Sequence, residues 1–319
     1  MKKLLLLCTA LFLTALLPAC RLAPEKAPFG GSGGKPQRII SASLDSDEIL
    51  LALVPPERIV ALSSLADTAV SYTQKEAAPV KGRILQHTVE EILSYDPDLV
   101  ILSGWEGEDF RKTLTDMGIR VCSYQSAESL ADIPGVIETI AKAAGEEEKG
   151  QALSEDFTRR VDAISRKAAA NGLSRSIYLW GFSHPYGAGN TLFGDMCRRL
   201  AIRNTLEGLT DKELSSANME FLLRTDPDRI LLSDFDMSSK RVAALSRTFT
   251  GDPSLQGISA VKNDALIPLP PRVLYCPSQY AARAMEELYQ AVYDETLDGA
   301  PFDPKTAYIT EARNTGRGH

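Results

Sequence analysis

Along residues 38–293, short apolar runs rich in branched side chains alternate with longer segments in which apolar positions recur every three or four residues. The first pattern predicts strands buried on both faces and the second predicts amphipathic helices, so the body reads as α/β with mainly parallel sheets. Strands are predicted at 38–43, 58–63, 99–103 and 120–124, then at 176–180, 229–233 and 265–269. Between the two sets, Leu153, Phe157, Val161 and Ile164 follow one another at spacings of four, four and three on a charged background, and Asn171-Gly172 supplies a stop. That predicts one long helix within 145–172, spanning about 35 to 40 Å at ~1.5 Å per residue.

The chain also repeats itself. VEEILSYDPDLVILSG (89–104) and MEFLLRTDPDRILLSD (219–234) lie 130 residues apart and share seven identities in sixteen, among them Glu90/Glu220, Asp96/Asp226, Pro97/Pro227 and Asp98/Asp228. Each copy reads as a short helix, a D-P-D turn whose proline cannot continue the helix, and a buried strand. Two related three-layer α/β lobes are therefore expected, 38–144 and 173–295, joined by the long helix and followed by a polar tail at 296–319. Ligands of open α/β sheets sit beyond the carboxyl ends of the strands, so facing lobes imply a cleft between them.

The N-terminus follows a different pattern. Lys2 and Lys3 precede an apolar run of 14 residues, Leu4 to Leu17, too short for a bilayer span of about 20 residues and matching a secretory signal. The run closes on Leu17-Pro18-Ala19-Cys20, with an aliphatic residue three before the cysteine and a small one just before it. This resembles the bacterial lipoprotein signal: residues 1–19 are removed, Cys20 carries the acyl chains, and the Pro-, Gly- and Ser-rich stretch to residue 37 is a flexible tether. A plain signal peptide is the alternative. Loss of Lys2 and Lys3 with the leader takes the formal charge from −7 to −9, which argues against nucleic acid or an anionic membrane surface as partner. A composition 44% hydrophobic and 24% charged excludes disorder and a multi-span membrane protein. Cys122, Cys197 and Cys276 show no CxxC or zinc-type spacing.

With the lipoprotein leader, the paired glutamate–helix–D-P-D–strand units, RIISASLDSDEILLALVPPERIVALS (38–63) and CPSQYAARAMEELYQAVY (276–293), the chain resembles the helical-backbone class of periplasmic solute-binding proteins. These serve ABC importers of ferric siderophores, haem or cobalamin. The family commonly has a Ser-Pro-Ser-like stretch where this chain has Ser43-Leu44-Asp45. The resemblance implies a lipid-anchored, monomeric binding protein facing outside the cytoplasm, in the periplasm or at the cell surface. Its partners are an ABC permease with its ATPase, and its ligand is a metal chelate; no catalytic residue and no resident cofactor are implied. It also implies that Glu90 and Glu220 dock on permease arginines, while the residues alone allow a helix-end role, since Thr88 and Glu91 have capping-box spacing.

The expected cleft residues are Trp105 after the 99–103 strand, Trp180, Phe182 and Tyr186 around the end of the 176–180 strand, and Arg272 and Tyr275 before the last helix. Aromatic faces suit a large flat or greasy ligand, and Arg272 would add charge pairing; each aromatic has a core or rim position as its alternative. His87 and His184 are weak candidates for axial haem ligation. Three enzyme-like patterns fail on inspection. Gly181-Phe182-Ser183-His184-Pro185 has proline where a nucleophile elbow needs glycine, Leu192 replaces the third glycine of a dinucleotide loop, and no phosphate-binding P-loop is present. An exported hydrolase or chelatase, or the ligand-binding module of a membrane sensor, are the rival readings.

Overall fold

The computed structural model describes residues 34–181, 189, 191–216 and 219–297. Its first lobe holds β1 (Ile39–Ser41), β2 (Ile59–Ser63), β3 (Gly82–Ile84), β4 (Leu99–Ser103) and β5 (Arg120–Tyr124), all parallel, in the order β3-β2-β1-β4-β5. The second holds β6 (Arg175–Trp180), β7 (Ile202–Asn204), β8 (Arg229–Leu232) and β9 (Leu266–Pro268), again parallel, in the order β7-β6-β8-β9. The central strands β1, β4 and β8 are buried at every position, as parallel strands covered by helices on both faces must be.

Helices α1 (Leu44–Leu53), α2 (Gln74–Ala77), α3 (Val89–Ser94), α4 (Glu108–Asp116) and α5 (Ile133–Ala144) belong to the first lobe. The second has α7 (Leu192–Arg199), α8 (Asp211–Ser216), α9 (Met219–Thr225), α10 (Ser239–Thr250), α11 (Ser259–Lys262) and α12 (Ala281–Tyr293). Between them runs α6, Glu147–Ala170, whose 24 residues bury Leu153, Phe157, Val161 and Ile164, the stripe expected from their spacing. Both ends of α6 are fixed by chemistry. At its start, Gly145 closes α5 in the left-handed region (φ 72°), and the buried Arg58 guanidinium meets Glu146 at 2.5 Å while donating to the carbonyls of Pro36 and Ala144. At its end, Gly172 has φ 63°.

The repeat has a physical explanation. Asp96 and Asp226 both take the left-handed conformation (φ 49° and 40°), which turns the chain out of its short helix. The second aspartate of each D-P-D then grips the entrance to the first strand of its own sheet. Asp98 accepts from the amides of Gln37 (2.7 Å) and Arg38 (3.0 Å) just before β1, and Asp228 accepts from the amide (2.6 Å) and hydroxyl (2.7 Å) of Ser176 in β6. One carboxylate thus sets the register of β1 against β4 and the other that of β6 against β8.

Two strands were not predicted. β3 and β7 are three-residue edge strands, and Arg83 and Arg203 break their apolar character. The capping box also differs from expectation. Thr88 does accept from the Glu91 amide (3.2 Å), but the Glu91 carboxylate reaches past Thr88 to the amides of Leu85, Gln86 and His87 at 2.8–3.0 Å, so it organises the loop after β3 and not the helix start. The leader, Cys20, the tether as far as residue 33 and the 298–319 tail lie outside the described residues. The last stretch of the expected tether, 34–37, is described, and there Pro36 accepts from Arg58 and Gln37 donates to Asp98, so it is tied to the first lobe and not free.

Removing one of the D-P-D carboxylates leaves strand-entrance donors unpaired, at a cost of about 1–3 kcal/mol each. Asp228→Ala should destabilise more than Asp98→Ala, because Ser176 is buried while the Asp98 bonds lie at the exposed start of β1. Urea unfolding of the two variants measures this; equal stability to the parent chain in both would remove the aspartates from this role.

Candidate ligand cleft

In each sheet the chain order reverses beside the first strand, between β1 and β4 and between β6 and β8. Loops leaving neighbouring strands at such a point part in opposite directions and open a crevice beyond the carboxyl ends. Here the two crevices face one another across a single cavity of about 690 Å³ lined by both lobes, within the ordinary range for small-molecule sites. The first lobe contributes Ser43, Leu44 and Asp45 after β1, Ser103 and Trp105 after β4, and Ser126 and Glu128 after β5. From the second come Leu192 and Phe193 at the head of α7, Phe235 after β8, and Leu274, Tyr275 and Pro277 before α12.

Two aromatic walls stand open. Trp105 is 66% exposed and its ring lies 4.9 Å from that of His87. Across the cleft, Phe235 is 51% exposed and stacks on Tyr275 with centroids 5.5 Å apart. Apolar surface left uncovered on opposing sides of a cavity is what a bulky, partly apolar ligand requires. A separate hollow over α5 and α6, lined by Glu138, Ser154, Arg159 and Asp162 among others, has no strand-end residue in its wall.

The expected residues divide clearly. Trp105 and Tyr275 line the cavity. Trp180 does not: it is half-buried, packed edge-on to Phe249 of α10 at 5.3 Å and tilted against Tyr178 at 6.2 Å, so it belongs to the lobe core. Arg272 is also absent from the cavity wall. Its guanidinium bonds Glu287 at 3.1 and 3.2 Å and lies over the Tyr72 ring at 5.3 Å, where the two lobes meet. Phe182, His184 and Tyr186 lie outside the described residues. His87 sits behind Trp105 with Nδ1 3.8 Å from Glu106. Burial holds its imidazole below the ordinary histidine range, so at neutral pH this contact is not an ion pair. No group of three or more His, Cys, Asp or Glu side chains disposed to hold a metal ion occurs among the described residues, and Cys122, Cys197 and Cys276 are unpaired.

Sequence reasoning did not single out the buried carboxyls of α1. Asp47 accepts from the Ser63 amide and hydroxyl, and burial pushes its carboxyl up to about 7. Glu48 accepts from the Tyr72 amide (2.8 Å) and, across the lobes, from the Ser278 hydroxyl (2.5 Å); burial pushes it up to about 8. Glu106, 5% exposed, is pushed up to about 7 for the same reason. A helix start rich in acids reads from sequence as dipole complementarity on a solvated turn, and only the arrival of residues 276–280 from the far end of the chain makes it a buried seam.

The periplasmic binding protein family matches residues 39–273. The chain belongs to this family, whose members bind solutes and are not enzymes. It is 24% identical over 271 residues, 82% of each chain, to the uncharacterized ABC transporter substrate-binding lipoprotein YvrC of Bacillus subtilis (strain 168). In fold it is similar to the periplasmic heme-binding protein RhuT of Roseiflexus sp. RS-1, with a TM-score of 0.66 at 20% identity over 82% of this chain and 99% of that one. It is likewise similar to the periplasmic vitamin B12 binding protein BtuF of Vibrio cholerae, with a TM-score of 0.59 at 21% identity over 81% and 96%. No helix among the described residues is long and apolar enough to cross a membrane.

The raised carboxyls have a consequence for stability. An acid that holds its proton more tightly when folded than when unfolded contributes stability at low pH, and that contribution is lost as pH rises from the ordinary carboxylate range through the folded value. With Asp47 near 7 and Glu48 near 8, the melting temperature should fall between about pH 5 and about pH 8, by an amount worth on the order of a few kcal/mol. Glu48→Gln should flatten that slope. An unchanged slope in thermal melts of the variant would show that Glu48 does not titrate in this window.

Proposed function

We propose that this extracytoplasmic binding protein is the lipid-anchored substrate-binding component of an ABC importer, capturing an iron chelate (ferric siderophore or haem) or cobalamin between its lobes and delivering it to the permease. The observation that carries the reading is the cavity at the two facing switch points, with Trp105 on one wall and Phe235 and Tyr275 on the other. Its size and its uncovered rings suit a bulky chelate better than a sugar or an amino acid. The relatives support the same direction: one is named as an ABC transporter substrate-binding lipoprotein, and two structural neighbours are named for haem and vitamin B12.

Docking falls to the repeated helices. Glu90 in α3 and Glu220 in α9 are exposed first-turn residues, and a helix that returns between parallel strands starts on the side of their carboxyl ends. Each lobe therefore offers one carboxylate on the cleft side. Leu93 and Leu223, three residues further along and so on the same helix face, are 38% and 43% exposed. A pair of equivalent acidic and apolar patches suits a permease made of two related halves.

Absorbance and tryptophan-fluorescence titration of the purified protein with ferric siderophores, haemin and cobalamin tests the ligand reading. Trp105→Ala should weaken binding by about 1–3 kcal/mol and leave the melting temperature unchanged, whereas Trp180→Ala should lower the melting temperature. The opposite pairing of outcomes would move the site away from the cavity.

In cells, Glu90→Ala and Glu220→Ala should each impair uptake, the double variant most, since losing one partner of a desolvated pair costs about 2–5 kcal/mol. Ligand affinity of the isolated protein should stay within about twofold. In the same cells Cys20→Ala should move the protein to the soluble exported fraction. Normal uptake with both glutamates reversed to arginine would return them to a helix-end role, and undiminished membrane retention of the Cys20 variant would end the lipid-anchor reading.

A further inference from the structure

The cleft has a sign. The charged side chains that line it are Asp45 and Glu128, and no lysine or arginine does so among the described residues. Three arginines that follow or precede wall residues are committed elsewhere: Arg272 to Glu287 and the Tyr72 ring, Arg241 to Asp234, and Arg111 to the Ser123 hydroxyl. The stretch 182–190 that follows β6 carries neither lysine nor arginine in its sequence.

Asp45 is the unusual member. It is 4% exposed, yet it forms part of the cavity wall. Its Oδ2 accepts from the Ser126 hydroxyl at 2.9 Å, and it has no cationic partner among the described residues. Carboxylates so far removed from water are ordinarily paired with a cation. The carboxylate also stands in Ser43-Leu44-Asp45, at the switch point of the first sheet.

We propose that the cleft selects a chelate of zero or positive net charge, that an ammonium or amide N–H group of that ligand seats against Asp45, and that polyanionic chelates are excluded. The inference rests on the reading of this cavity as the ligand site and narrows it. A ligand cation completes the pairing that Asp45 lacks, while an anionic chelate meets an acidic wall with no basic group to offset it.

Three ferric probes separate the possibilities: a trihydroxamate bearing a pendant ammonium, the same compound with that amine acetylated and so neutral, and a trianionic tris-catecholate. Titrated against the whole protein and followed by tryptophan quenching, the cationic probe should bind at least as tightly as the neutral one, and both at least roughly tenfold more tightly than the tris-catecholate. Asp45→Asn should lower the cationic-to-neutral affinity ratio by roughly tenfold and relieve the rejection of the tris-catecholate.

Because Asp45 is buried, a second measurement uses the unaltered protein. Raising sodium chloride from about 0.02 M to about 0.5 M should weaken the cationic probe and leave the neutral one unchanged. Preferential binding of the tris-catecholate, or a cationic-to-neutral ratio indifferent to both Asp45→Asn and salt, overturns the charge selection while leaving the cavity as a chelate site. Failure of all three probes, of haemin and of cobalamin to bind overturns the chelate reading itself, and the charge selection with it.

Discussion

The fold depends on two carboxylates that never reach the ligand. Asp98 and Asp228 hold the amides at the entrances of β1 and β6, and those strands are the pivots about which each sheet reverses its order. A parallel sheet has no hairpin to fix register, so the alignment of neighbours comes from packing and from such specific bonds. With β1 held against β4, the residues leaving their carboxyl ends, Asp45 and Trp105, arrive at the same crevice. With β6 held against β8, Phe235 faces them from the second lobe.

The lobes are held together more firmly than a single connecting helix would achieve. Besides α6, the segment before α12 lies against α1, where Ser278 and Gln279 bond Glu48 and the Tyr72 and Tyr280 rings stack at 5.2 Å within 4° of parallel. Arg272 and Glu287 extend the contact toward Tyr72. A stiff helix and a packed seam between the bodies favour a preformed cleft over a wide hinge swing.

Much of this was legible beforehand, and the reasons differ by element. The central strands and α6 announce themselves because burial on both faces, or along one stripe, leaves an unbroken chemical pattern. The repeat was visible because both lobes solve the same problem with the same D-P-D. The edge strands β3 and β7 were not visible, since three residues with one exposed face leave almost no pattern. Trp105 and Tyr275 could be placed from their positions after a strand and before a helix. Trp180 and Arg272 could not, because the partners that draw them away, Phe249 and Glu287, are distant in sequence. The same holds for Asp45, buried in the cavity wall, whose hydrogen-bond partner Ser126 lies 81 residues on.

The seam at Glu48 also bears on how the chain reaches its native state. Ser278 and Gln279 stand 230 and 231 residues beyond the glutamate they bond, so the first lobe finishes with donors supplied from nearly the other end of the molecule. Until residues 278–279 are in place, Glu48 lacks these donors. Contacts this distant carry a large closure entropy and form late. In a chain made from its N-terminus, Ser278 and Gln279 are added some 230 residues after Glu48, so the packing of α1 cannot be complete before they arrive, which makes the segment ahead of the last helix the latch between the lobes.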